Sequence, residues 1–365
     1  MTIEEIKKKI STNEYDFLRK NEHLGDNIIL LGLGGSHAYG TNKEGSDLDI
    51  RGITLNSKKD ILRNGSFEQF TNEATDTVVY SFNKIVGLLA NCNPNTIELL
   101  GLKPEHYLIL TPIGEEILSK KEMFLSKKAV NSFGGYANSQ LYRMNQKSAN
   151  QLNQKELEEH ILKTLQFMQT SFVGKYTDVP TDGIKLYVDK AVQEGFDTEI
   201  FMDVNLTHYP LRDYKSMWAE LSNTVRAYAK VGHRNENAIE HGKLGKHMMH
   251  LVRLYYMCFD ILEKKEINTY REKEHELLMD IRNGSYLDSK GMPIPEFYEM
   301  VTDLEKRLKY DAENTDLPEQ PNYDEINEFV EDVNEKIVRG EIDKTNVKNL
   351  NFSELEGLSE EELDI

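Results

Sequence analysis

One stretch constrains the fold more than any other. Residues 27–33 (N-I-I-L-L-G-L) form a short apolar run that ends on Gly34 and Gly35. Such a run, closed by glycines, reads as a buried strand entering a tight turn. A polar turn at residues 41–45 (T-N-K-E-G) follows. A second strand is expected over 48–55, with Ile50 and Ile53 as its apolar residues, and a third over 76–80 (D-T-V-V-Y). Helical patterns come next at 82–90, 96–102 and 112–121. The N-terminus opens with Thr2 and Glu5 at capping-box spacing, which predicts a helix to about Leu18.

Beyond residue 125 the pattern changes to long helices, expected at 129–148, 155–172, 214–230 and 240–264. Tyr187-Val188 and Ile200-Phe201-Met202 suit short strands or a loop excursion. Pro318 and Pro321 suggest a linker ahead of an amphipathic helix over about 323–338, and an acidic tail from Glu341. The expected fold class is therefore α+β: a small mixed sheet flanked by helices over residues 1–124, a mostly helical domain over 125–310, and an acidic helix and tail over 311–365.

Composition excludes several classes. No run of 18 or more apolar residues is present, so no membrane span is expected. The N-terminus lacks the basic-then-apolar layout of a signal peptide. Cys92 and Cys258 do not suggest a disulfide framework, so a reducing cytoplasm is the natural setting. The net charge of −18 would normally argue against a polyanionic partner. Residues 311–365, however, carry 18 acidic and 4 basic residues, a net of −14, which leaves −4 for the first 310. Charge does not exclude nucleic acid, and the acidic segment reads as regulatory.

The chemistry is concentrated in G-G-S-H-A-Y-G-T (34–41) and G-S-D-L-D-I-R-G (45–52). Glycines let the backbone approach phosphates closely, and the N–H groups of Gly35 and Ser36, with the Ser36 hydroxyl, can cradle a triphosphate. Residues i and i+2 of a strand share a face, so Asp47 and Asp49 project side by side and can hold Mg²⁺. Two such ions would neutralise a triphosphate and stabilise the attacking and leaving oxygens, with Mn²⁺ able to substitute. Each piece alone is ordinary, Gly-Gly as a turn and Asp-x-Asp as a solvated strand edge. Their order and spacing between two strands make the combination informative.

These residues resemble the signature of DNA polymerase β-superfamily nucleotidyltransferases. The fuller string G-S-H-A-Y-G-T…G-S-D-L-D-I-R-G is similar to that of the RlaP-like, RNA-repair-associated branch of bacteria and phages. N-P-N-T-I-E-L-L (93–100) and K-H-M-M-H-L-V-R-L (246–254) are similar to two further motifs of that branch. His37 stands where the branch favours Arg. The resemblance implies transfer of a nucleoside monophosphate from an NTP to an acceptor hydroxyl, with an RNA end as the implied acceptor. It also implies a third carboxylate. Asp76, opening its strand, is favoured as metal ligand and base. Glu98 is the competitor, with a bland role as partner of an Asn95 helix cap.

Lys243, Lys246, His250 and Arg253 recur at helical spacing, so they form one stripe, which reads either as a cationic wall facing the triphosphate or acceptor or as a solvated basic face. Arg51 is a further candidate phosphate contact, or a structural ion pair. His233, His241, His247 and His250 carry no zinc-protease spacing, which favours a structural role. Tyr39, Tyr136 and Tyr142 suit packing better than base stacking. Two rival readings remain at this stage. One is nucleotidylation of a protein or small molecule, and the other is a catalytically silent fold acting as a binding partner. The sequence leaves the NTP, the acceptor and the oligomeric state open.

Overall fold

The computed structural model describes residues 1–63, 67–137, 162–167, 172, 175, 176, 179, 180, 183–190, 192, 198–231, 243–289 and 291–345. Two compact units are present. The first comprises Met1–Tyr136, Tyr256–Glu276 and Asn314–Ile365, and the second Ala137–Tyr255 and Leu277–Glu313. These units differ from the boundaries expected at 124 and 310, because the chain leaves the first unit and returns to it twice.

The first unit begins with α1 (Ile3–Ile10), whose Thr2–Glu5 capping box is formed, with both backbone N–H groups satisfied. The helix stops at Ser11 instead of reaching Leu18. After a 3₁₀ turn at Asn13–Tyr15, α2 (Phe17–Lys20) resumes. Polar Ser11, Thr12 and Asn13 offer the backbone alternative hydrogen bonds here: the Ser11 and Thr12 hydroxyls both donate to carbonyls of the preceding turn.

Five strands form one mixed sheet: β1 (Ile28–Leu33), β2 (Ile50–Thr54), β3 (Gln69–Asn72), β4 (Thr77–Ser81) and β5 (Tyr107–Leu110). Their order is β3-β4-β2-β1-β5. β1 runs antiparallel to both β2 and β5, while β2 and β4 are parallel. β1 and β5 are buried along their whole length, as continuous apolar runs demand. The parallel pairing aligns Ile50 with Thr77 and Arg51 with Val78. The residues just before these pairs, Asp49 and Asp76, therefore arrive at the same end of the sheet.

Helices α3 (Gly35–Tyr39), α4 (Lys58–Leu62), α5 (Phe82–Ala90), α6 (Pro94–Ile97) and α7 (Pro112–Ser119) connect the strands. The Ser81 side chain caps α5, and the buried residues Phe82, Ile85, Val86 and Leu89 recur at helical spacing along it. The C-terminal helix Tyr323–Arg339 belongs to this unit rather than to a detached tail. It buries Ile326, Phe329 and Val333, and the Phe329 ring meets Phe82 edge-on at 5.6 Å. Its apolar stripe needs a partner, and α5 supplies one. Most of the expected acidic tail, residues 346–365, lies outside the described residues.

The second unit contains an antiparallel pair, Ile184–Lys190 with Thr198–Val204, and helices Leu211–Val231, Lys243–Phe259, His275–Asn283 and Pro295–Asn314, the last three of which share residues with the first unit. Its core includes Leu165, Phe172, Ile184, Met217 and Leu221. The helix expected over 155–172 falls mostly outside the described residues. Cys92 and Cys258 are buried free thiols. Among the described residues, no helix is long and apolar enough to cross a membrane.

Candidate active site

The site is built where β1 hands over to α3. Gly35 adopts φ +55°, and a Cβ placed there would lie 1.8 Å from Asp49 Oδ2. The bare Cα is thus required twice, by the backbone conformation and by the carboxylate lying against it. The Gly34 N–H donates to the Asp49 carbonyl at 2.8 Å, which ties the glycine turn to the acidic segment.

Asp47 and Asp49 stand in the segment just ahead of β2, not within the strand as expected. The alternation survives nonetheless: Leu48 is buried, Asp47 exposed and Asp49 half-buried. The segment has no ladder partner at these positions, and only the alternation of burial carries over from the expected strand.

Arg51 organises the other carboxylates. Its Nη2 lies 3.0 Å from Asp76 Oδ1 and 3.6 Å from Asp49 Oδ1. Its Nη1 donates to the carbonyls of Ile50 and Asp76. Burial alone would lower the pKa of this guanidinium. Asp76 first, then Asp49 and Glu98, outweigh that effect and raise it. Asp76 itself sits at φ 43°, a left-handed conformation rare for a non-glycine residue. Of its two expected roles, structural ion pair or phosphate contact, Arg51 therefore shows the first.

Glu98 does not cap a helix. Asn93, not Asn95, caps α6, accepting from the Asn95 N–H. Glu98 is buried, and the Tyr39 hydroxyl donates to its two oxygens at 3.0 and 2.9 Å. The carbonyl of Glu98 accepts from the Thr269 hydroxyl at 2.5 Å. Tyr39 is thus a buried prop for Glu98. A strap from the Tyr256–Glu276 segment supports the same turn. The Tyr270 ring fills the space where a Gly40 side chain would be, and His275 Nε2 lies 2.9 Å from the Gly40 carbonyl. Sequence reasoning missed this strap, since nothing local links Tyr270 to Gly40.

The fit of a divalent cation rests on donor chemistry. Mg²⁺ binds through one or two carboxylates plus substrate phosphates, and Asp47 with Asp49 supplies that number. Among the described residues, no group of three His, Cys, Asp or Glu side chains converges as a protein-only metal cage. Asp76 faces Arg51 in this arrangement.

Lys246, His250 and Arg253 lie on the helix Lys243–Phe259 in the second unit. Lys246 is exposed and Arg253 buried, 3% exposed. Desolvation first, then the charges of Arg253 and Lys246, push the His250 imidazole well below its ordinary pKa. The Lys243 side chain, His233, His241 and Tyr142 lie outside what is described.

Against known proteins, the model of the RNA repair pathway DNA polymerase beta family matches residues 6–178. No curated protein and no solved structure matches the chain.

Proposed function

Residues 6–178 match the model of that family, and on this likeness we propose that the protein is a divalent-metal-dependent nucleotidyltransferase that moves an NMP from an NTP onto a terminal hydroxyl of RNA, releasing pyrophosphate. One observation carries the reading. Asp47 and Asp49 flank buried Leu48 beside Gly35, and Gly35 leaves room for the Asp49 carboxylate.

In this reading the backbone N–H groups of Gly35 and Ser36 hold the β- and γ-phosphates. Asp47 and Asp49 hold Mg²⁺, which when bound neutralises phosphate charge and favours ionisation of the incoming hydroxyl. The acceptor hydroxyl loses its proton to solvent, its oxygen bonds to the α-phosphorus as the bond to the bridging oxygen breaks, and the electron pair leaves with pyrophosphate. Positioning and charge supply most of the rate in such chemistry. Asp76, held by Arg51, keeps Arg51 from closing fully on Asp49, so it is assigned a positioning role through Arg51. The site residues named in this reading all lie in the first unit.

The test incubates the protein with labelled NTPs, Mg²⁺ and separate RNA, protein and small-molecule acceptors. Label transferred to RNA supports the reading. Label on a protein or small molecule moves it to the rival acceptor class. No transfer to any acceptor supports the silent-fold alternative.

A further inference from the structure

Helix α3 carries the Gly35 and Ser36 amides of the proposed phosphate cradle, yet it has only five residues. A helix that short does not hold its own shape in water. Its far end is fixed by hydrogen bonds. Gly40 closes it in the left-handed conformation, at φ 75°, and the Gly40 N–H donates to the Ser36 carbonyl. The Thr41 N–H donates to the same carbonyl at 2.9 Å. Ser36 and Gly40 therefore belong to one turn, and a shift of Gly40 is passed to Ser36.

The strap grips that turn at three points. The Tyr270 ring stands where a Gly40 side chain would be. The Arg271 N–H donates to the Tyr39 carbonyl at 3.4 Å, and His275 Nε2 donates to the Gly40 carbonyl at 2.9 Å. The strap is itself anchored. The buried Arg271 guanidinium pairs with Asp260 and, at 2.8 Å, with Glu274. Asn268 Nδ2 donates to Asp260 at 3.2 Å. Lys103 Nζ sits 3.6 Å from the centre of the Tyr270 ring, close enough for a cation–π attraction that holds the ring in place. Tyr270 and His275 are both half-buried. Truncating either ring therefore releases the turn with little loss from the buried core.

We propose that Tyr270 and His275 are positioning residues for triphosphate binding, which act through Gly40 to hold the Gly35 and Ser36 amides in register with the phosphates. The inference rests on the nucleotidyl-transfer reading but is tested apart from it, by binding.

The experiment uses the full chain with Mg²⁺. Calorimetry reads the affinity of a non-hydrolysable NTP analogue and of inorganic tripolyphosphate, which carries the phosphates without a nucleoside. A melt of each sample fixes a binding temperature at which every variant is folded. Tyr270→Ala and His275→Ala are each expected to weaken both ligands about tenfold, the worth of one misaligned hydrogen bond to a charged group. Tyr270→Phe keeps the ring and His275→Gln keeps a donor, so both should bind nearly as the unaltered protein does. Gly40→Ala drives a methyl into the Tyr270 ring and should also weaken both ligands. Its effect should shrink in combination with Tyr270→Ala, since the two changes act on one contact. If Tyr270→Ala fails to fold, the His275→Ala and His275→Gln pair decides. Lower melting temperatures with unchanged affinities would make the strap a plain brace and overturn the proposal. So would a loss confined to the analogue and absent for tripolyphosphate, or no binding of either ligand by the unaltered protein. Triphosphate bound as expected, with no label passed to any acceptor, would instead sink the transfer reading and leave the positioning role standing.

Discussion

Two loops bring carboxylates to the same end of the sheet, and they treat them differently. The loop ahead of β2 presents Asp47 exposed, with no ion-pair partner among the described residues, and sets Asp49 against a bare glycine. The turn ahead of β4 presents Asp76 already clasped by Arg51 through both its carboxylate and its carbonyl. A carboxylate left open keeps its lone pairs for a cation, whereas one that is clasped mainly fixes the shape of its surroundings. The same side-chain chemistry is thus left exposed at Asp47, set near Arg51 at 3.6 Å at Asp49, and clasped by Arg51 at 3.0 Å at Asp76.

The sharpest way to break the comparison is to neutralise the first loop. Asp47→Asn or Asp49→Asn is expected to lower kcat by about 10³-fold or more, because a lost metal contact removes several kcal/mol of charge stabilisation. Asp47→Asn, at an exposed position, should keep stability within about 0.5 kcal/mol. Steady-state kinetics at saturating Mg²⁺ with a parallel melt read both, and near-normal turnover would remove the first loop from the chemistry.

Next in size is Gly35→Ala. The added methyl collides with Asp49 and must accept a positive φ, so about 10²-fold in kcat and about 1–3 kcal/mol of stability should be lost together. An unchanged melting temperature would show that Asp49 does not need the glycine. Asp76→Ala should cost less, about 10- to 100-fold in rate, as expected for a group that orients a ligand indirectly. A loss as deep as that of Asp47→Asn would make Asp76 a ligand in its own right.

The smallest kinetic effect is expected for Glu98→Ala. It strands the buried Tyr39 hydroxyl, at a cost of about 1–3 kcal/mol in stability, and leaves the surviving folded fraction largely active. Abolished transfer with an unchanged melting temperature would show that Glu98, not Asp76, is the third carboxylate.

How much of this was legible follows from the distance over which each feature is encoded. The glycine turn, the Asp47–Asp49 pair and the Ser81-capped helix are each written within a few residues, and sequence reading located them. β3 escaped because Gln69–Asn72 is a polar edge strand with no buried position. Of the two readings of Glu98, the one that made it partner to an Asn95 cap fails, because that spacing is only locally plausible while its hydrogen-bond partner Tyr39 lies 59 residues away. The C-terminal helix was found, but its docking depends on Phe82, far back in the sequence. Acidic composition masked an apolar stripe that only tertiary contact explains.

The first unit's assembly from three stretches of chain bears on its biosynthesis. Met1–Tyr136 leaves the ribosome long before the strap Tyr256–Glu276, and Asn314–Ile365 comes last. Until then the apolar face of α5 awaits Phe329, and the glycine turn awaits Tyr270. Contacts this distant in sequence form slowly, and exposed apolar surface in the interval invites association with other chains. A nascent chain interrupted before residue 314 would carry every acidic residue of the site and the Tyr270 strap, and still leave Phe82 without its Phe329 partner.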